Sequence, residues 1–234
     1  MNQIIFNGKK NYTDLNIMLV SFSIQSPSKK KIKVPVPFMS GSYDFSTVGS
    51  NGEIIYDERT IKAKFDLKSS NRGSLYNKYS EVLEWLIGVG QNELIVTDMS
   101  DYYYLAEVEN APSFEETVRH AGIMEVEFVA YPFKYGVDLV GDDVWDTFNF
   151  LEDIVQVNQF NVVSTSTVSI YNSKRLVIPT INCNVAMSLV FEGITYSLVA
   201  GDNKIYGLKF KNGYNSIKIN GTGIIKFLFR KVAL

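Results

Sequence analysis

Glu125 and Glu127 stand two residues apart in a stretch where apolar residues alternate. A strand there would put both carboxylates on one face with Cα atoms roughly 6.5 to 7 Å apart, a spacing that invites comparison with the carboxylate pair of a glycoside hydrolase. Catalysis also needs two environments that drive the two pKa values apart. On the wet face of a strand both groups are hydrated and of ordinary acidity, so the pair is expected to be inert. Asp57 and Glu58 are adjacent on an expected strand and so point to opposite faces, and Glu115 and Glu116 are expected in a polar turn after Pro112. Asp142 and Asp143, beside Gly141, offer oxygens to a calcium ion without the ligand rhythm of an EF-hand loop. They are read as a solvated linker.

Nucleophile and metal chemistry fare no better. The chain has one cysteine, Cys183, and one histidine, His120. The two are expected in different halves of the molecule, so Cys183 lacks an activating base and reads as a small core residue. One Cys and one His cannot build a closed zinc site, and no disulfide can form within the chain. No Gly-rich loop ending in Lys-Ser or Lys-Thr and no G-x-G-x-x-G is present. These readings point away from an enzyme, and no cofactor or metal is expected.

Composition narrows the class further. The 234 residues are 46% hydrophobic and 21% charged, and 14 Tyr and 15 Phe against 2 Trp favour strands. A formal charge of −2 and an isoelectric point near 5.6 give no footprint for sequence-specific nucleic-acid binding or for an anionic membrane. The one basic run, Lys29 to Lys33, is expected to solvate a hairpin tip. No leader-like N-terminus and no apolar run approaching 18 residues is seen, so a chain made and kept in water is expected.

Turn residues and hydrophobic periods then place the elements. Asn7-Gly8 and Asn51-Gly52 mark turns, and Pro35 and Pro37 confine their segment to a sheet edge or an extended arm, where another chain can pair. Ile61, Ala63, Phe65 and Leu67 alternate with Lys62, Lys64, Asp66 and Lys68 in a half-buried strand. Leu75, Tyr79, Val82, Leu83, Leu86 and Ile87 recur at helical spacing, predicting one helix over Ser74 to Ile87, closed by Gly88 and Gly90. Trp85 falls about 120° from the centre of that stripe, which makes it a candidate for a subunit contact. Met124, Val126, Phe128 and Ala130 alternate in a further strand.

Gly141, Asp142 and Asp143 mark a polar passage, the domain boundary is placed at about Asp138 to Phe150, and beyond it turn signals recur about every ten residues: Asn172-Ser173, Glu192-Gly193, Gly201-Asp202-Asn203, Asn212-Gly213 and Asn220-Gly221. Short strands between regular turns predict a β-sandwich. The expected architecture is mainly β: an N-terminal sheet or sandwich domain with one α-helix over residues 1–140, then a C-terminal sandwich over 141–234.

The segment VPFMSGSYDFS, Val36 to Ser46, followed by YDERTIKAKFDL, Tyr56 to Leu67, resembles the N-terminal region of the distal tail protein family of long-tailed bacteriophages. The helix LYNKYSEVLEWLIG, the strand AGIMEVEFVAYPFKYG and the closing GYNSIKINGTGIIKFLFR follow in the order that family shows. The resemblance implies a galectin-like or carbohydrate-binding-module-like C-terminal sandwich. It also implies a hexameric ring in the virion tail, joining the tail tube protein to tail-tip or baseplate proteins and leaving a channel for DNA. The C-terminal half has no long insertion, so host recognition by this chain itself is not expected.

Phe38, Met39, Tyr43, Phe45 and Trp85 are the candidate subunit contacts. The alternative is a carbohydrate-binding protein using exposed tyrosines of the second half. Of Tyr171, Tyr196, Tyr206 and Tyr214, the pair Tyr196 and Tyr214 is the candidate glycan contact.

Overall fold

Asn7 and Gly8 adopt φ of +48° and +71°. A two-residue turn of that hand suits the twist of antiparallel strands, and it joins β1 (Ile4–Phe6) to β2 (Lys9–Lys10). The computed structural model describes residues 3–50, 52–141 and 156–234. Its chain divides into two units, residues 1–134 with Leu234 and residues 135–233. The sequence-based boundary at 140 lies a few residues later, and Asp142, Asp143 and most of the boundary region fall outside the described residues.

In the first unit, β3 (Met18–Ile24) is followed by a projecting arm that contains β4 (Lys33–Pro35) and β5 (Ser42–Asp44), and then by β6 (Arg59–Lys68). After the helix α1 (Arg72–Ile87) come β7 (Asn92–Val96), β8 (Tyr102–Glu107), β9 (Ser113–Val118) and the long β10 (Ala121–Leu139), inside which the two units divide. The sheet runs β2-β1-β7-β8-β10-β6-β3, with β9 on the first residues of β10.

Alternation in β6 and β10 decides which face packs. Ile61, Ala63, Phe65 and Leu67 are buried with Met124, Val126, Phe128 and Ala130, and each fully buried large side chain contributes about 1.5–3 kcal/mol. Leu75, Val82 and Leu86 of α1 close over that face.

The helix begins two residues before the expected start, because Asn71 caps it by accepting from the Ser74 N–H at 2.9 Å. Gly88 ends it with φ of −66°, so the left-handed cap expected of a terminal glycine is not formed. The buried stripe is also rotated: Trp85 is inside and Ile87 is 46% exposed. Counted from Leu75 at 100° per residue, Trp85 lies about 80° to one side and Ile87 about 120° to the other, so the stripe centres nearer Leu75 than the sequence pattern indicates.

The second unit is a β-sandwich. One sheet orders β11 (Gln159–Val162), β18 (Gly223–Leu228), β13 (Thr180–Cys183) and β16 (Gly201–Lys204); the other orders β12 (Thr165–Asn172), β17 (Gly213–Asn220), β14 (Met187–Phe191) and β15 (Ile194–Leu198). Ile181, Phe227 and Ile225 from the first meet Leu189, Ile217 and Ile219 from the second in one core. Glu192 and Gly193, with φ of +51° and +80°, make the tight turn between β14 and β15. The last strand, β19 (Arg230–Ala233), pairs with the end of β10.

Candidate assembly surfaces

The expected arm is present. Ser28 and Lys30 pair through the backbone with Asp57 and Ile55, and β4 pairs with β5 from Lys33–Asp44 to Pro35–Ser42. Among the described strands neither β4 nor β5 joins another sheet, as the donor-poor prolines require. The basic run does not form a tip; it runs along the arm, where Lys31 reaches Asp44 at 2.8 Å. The Lys31 ammonium, with Ser46 donating from hydroxyl and backbone, holds the Asp44 carboxyl well below the usual carboxylate range.

On this arm the apolar side chains face outward. Phe38 is 110% exposed, and Met39, Tyr43, Phe45, Val34 and Ile32 are also exposed, with Tyr43 and Phe45 rings 6.2 Å apart. Phe38 holds φ of +63°, a left-handed conformation that costs a residue with a Cβ about 1–2 kcal/mol.

Trp85 does not belong to this surface. It is 3% exposed, donates Nε1–H to the Phe6 carbonyl at 2.8 Å, and meets the rings of Phe6 and Phe65 edge-on. The contact proposed for it from its off-stripe position is corrected: the rotation of the helix turns the indole into the protein's own core.

Among the described residues, β3 pairs only with β6 and β9 only with β10, so both sides of the run β9-β10-β6-β3 end in an edge that no described strand pairs. Val20, at a bulge in β3, is 53% exposed, and Val118 at the end of β9 is 49% exposed. Glu115 and Glu116 lie on β9 rather than in a turn, because Phe114 and Glu116 alternate toward α1. Glu116 accepts from Arg72 at 3.1 Å and from the Tyr76 hydroxyl at 3.0 Å, and Phe114 stacks on Tyr79 at 4.6 Å, which fixes this edge to the helix.

The face of this run away from α1 carries the carboxylates first considered for catalysis. Lys64 binds Glu125 at 2.7 Å and Lys62 binds Glu127 at 3.4 Å across the β6–β10 ladder. Glu125 is not of ordinary acidity: the hydrogen bond from Lys64 lowers its pKa. A general acid would need a raised one. Asp57 accepts from Ser28 at 3.2 Å on the arm. Cys183 is a buried core residue whose thiol is pushed up by burial and donates to the Val199 carbonyl at 3.0 Å.

The glycan pair is also separated. Tyr196 lies opposite Leu189 and packs on the core, its hydroxyl reaching the Gly207 carbonyl at 3.4 Å. Tyr214 alternates with buried Asn215 and Ile217 and is 80% exposed on the outer face of the same sheet. The two rings therefore cannot share a platform. The aromatic neighbour of Tyr214 is Tyr171, its cross-strand partner, with ring centroids 4.9 Å apart. The sequence alternation of β17 carried that signal; the register that pairs Tyr171 with Tyr214 did not show in it.

These surfaces sit on a fold with known counterparts. The chain is similar over its whole length to the crystal structure of the SPP1 Dit (gp 19.1) protein, described as a paradigm of the hub adsorption apparatus in phages infecting Gram-positive bacteria; the TM-score is 0.68 at 12% identity, covering 100% of both chains. No curated protein sequence matches the chain. The family model for the phage tail protein RIFT-related domain matches residues 10–130. The chain belongs to that family, and is a structural component of the phage virion tail.

Proposed function

We propose that the protein is the hub of a phage tail tip. Copies close a ring at the end of the tail tube, join it to tail-tip or baseplate proteins, and leave a channel for DNA. The observation that carries this is the pair of open edges, β3 and β9, at opposite ends of one four-strand run. An edge is a template for another chain, and a head-to-tail contact between two different surfaces of one protein closes into a ring when the rotation permits. Six is the number that the family resemblance implies. The arm supports the same reading, because a hairpin with Phe38, Tyr43 and Phe45 turned outward has apolar area to cover. The role is structural, not catalytic, and the carboxylates held by lysines agree with that.

Light scattering and negative-stain microscopy of the purified chain, alone and with its tail tube and tail-tip neighbours, test the ring. Rings in which Phe38, Tyr43 and Phe45 lose solvent exposure are expected. A chain that stays monomeric at tens of micromolar beside those partners rules the ring out. A second reading, glycan binding by the sandwich, draws support from exposed Tyr214 beside Tyr171. It fails if a glycan array gives no hits.

A further inference from the structure

We propose that a hollow in the second unit binds a small amphipathic anion, an acidic head group carried on a short apolar chain; this is independent of the ring reading above. The hollow has a volume of about 420 Å³ and is lined by residues of β10, β13, β16, β18 and β19. Small-molecule sites occupy about 300–1,000 Å³, so a compact ligand fits the space.

Alternation builds one wall. In β13 Ile181 and Cys183 point into the core, which turns Thr180 and Asn182 outward. The register places Thr180 between Leu228 of β18 and Lys204 of β16, so leucine, threonine and lysine form one row on the outer face. Neighbouring strands lie about 4.8 Å apart, so one carboxylate can touch both the Thr180 hydroxyl and the Lys204 ammonium. Ile178, two residues before Thr180, joins Leu228 and Leu139 as half-buried side chains of the same lining. These three give the hollow an apolar floor.

The charge of the lining selects the head group. Two cations and no carboxylate line the hollow, in a chain whose formal charge is −2. Lys204 is exposed and forms no ion pair among the described residues. Asp202, two residues along β16 on the same face, accepts instead from Asn182 at 2.6 Å. The Thr180 hydroxyl also has no hydrogen-bond partner among the described residues. On the other wall the Arg230 guanidinium donates to the carbonyls of Gly136, at 3.2 Å, and of Val137, which fixes its positive charge in place. Such a lining repels an amine, and its floor gives a small hydrated anion nothing to bury. An acid on an apolar chain suits both parts: the chain leaves water against Ile178, Leu139 and Leu228, and the head accepts from Lys204 and Thr180.

Octanoate, octanol and octylamine share one apolar chain and differ in the head group. Each is titrated, below its micelle-forming concentration, into the isotope-labelled full chain, and the backbone amide signals of Ile178, Thr180, Lys204 and Leu228 are followed by NMR. Octanoate is expected to shift them saturably, octanol about tenfold more weakly, and octylamine not at all. Each methylene gained between butanoate and octanoate should tighten binding by up to about fourfold. Lys204→Gln changes an exposed side chain and keeps the fold. It should bring octanoate down to the affinity of octanol and leave octanol itself unchanged.

No saturable shift with octanoate would overturn the proposal, as would shifts confined to residues outside the hollow. Octanol or octylamine binding as tightly as octanoate would remove the cations from it, and so would an unchanged octanoate affinity in Lys204→Gln. Butanoate binding as tightly as octanoate would remove the apolar floor and leave only a surface charge effect, which overturns it equally.

Discussion

Trp85 and Phe38 are both large aromatics offered by the sequence as contacts, and their surroundings give them opposite energetics. Trp85 fills a space between Phe6 and Phe65 and satisfies the Phe6 carbonyl. Trp85→Ala should lower the unfolding free energy by about 3–5 kcal/mol, read as a shift in the urea midpoint. Phe38 has no such role, being fully exposed and held at a positive φ. Phe38→Gly should change monomer stability by less than about 1 kcal/mol, in either direction, because lost strain offsets added chain entropy. The same change should weaken ring formation in sedimentation experiments. Monomer destabilisation comparable to that of Trp85→Ala would show that Phe38 serves its own fold instead. Composition and spacing cannot separate two such residues, since the difference lies in which way a helix is turned about its axis and in whether a hairpin finds a surface.

At the scale of elements, the arm is the one held mainly by local polar contacts. Asp44 anchors β5 to Lys31 and Ser46, and those contacts depress its pKa. A carboxylate with a lowered folded pKa contributes its stabilisation above the unfolded value of about 3.9 and loses it as pH falls through the folded one. The NMR shifts of Tyr43 and Phe45 should therefore stay constant from neutral pH to about 4 and move only in stronger acid. Asp44→Asn should show the loosened shifts already at neutral pH; unchanged shifts in that variant would remove Asp44 as the anchor. The strands β6 and β10 were legible because period-two alternation reports a face directly, and the turns at Asn7-Gly8 and Glu192-Gly193 because only a few residues accept positive φ. Strand β9 was not: Glu115 and Glu116 look like turn residues until α1 supplies Arg72 and Tyr76 to receive one of them.

For the whole molecule, the class of fold and its two-part order followed from patterns that each segment carries alone, whereas the open edges follow from strand order, which no single segment encodes. β3 and β9 are 89 residues apart when counted between Ile24 and Ser113, yet both belong to one run only because β6 and β10 pair between them. That makes the edges the place to test assembly without disturbing the core. Val20→Lys and Val118→Lys each put a charge at an exposed edge position, the device by which proteins blunt strand edges. Each monomer should retain its stability to within about 0.5 kcal/mol. Wild-type protein that forms rings should melt at a temperature that rises with protein concentration, because assembly stabilises the folded chain by mass action. The lysine variants should lose that dependence and converge on the dilute wild-type value. If both variants still form rings, and still gain stability with concentration, the subunits join through the arm or another surface rather than through β3 and β9.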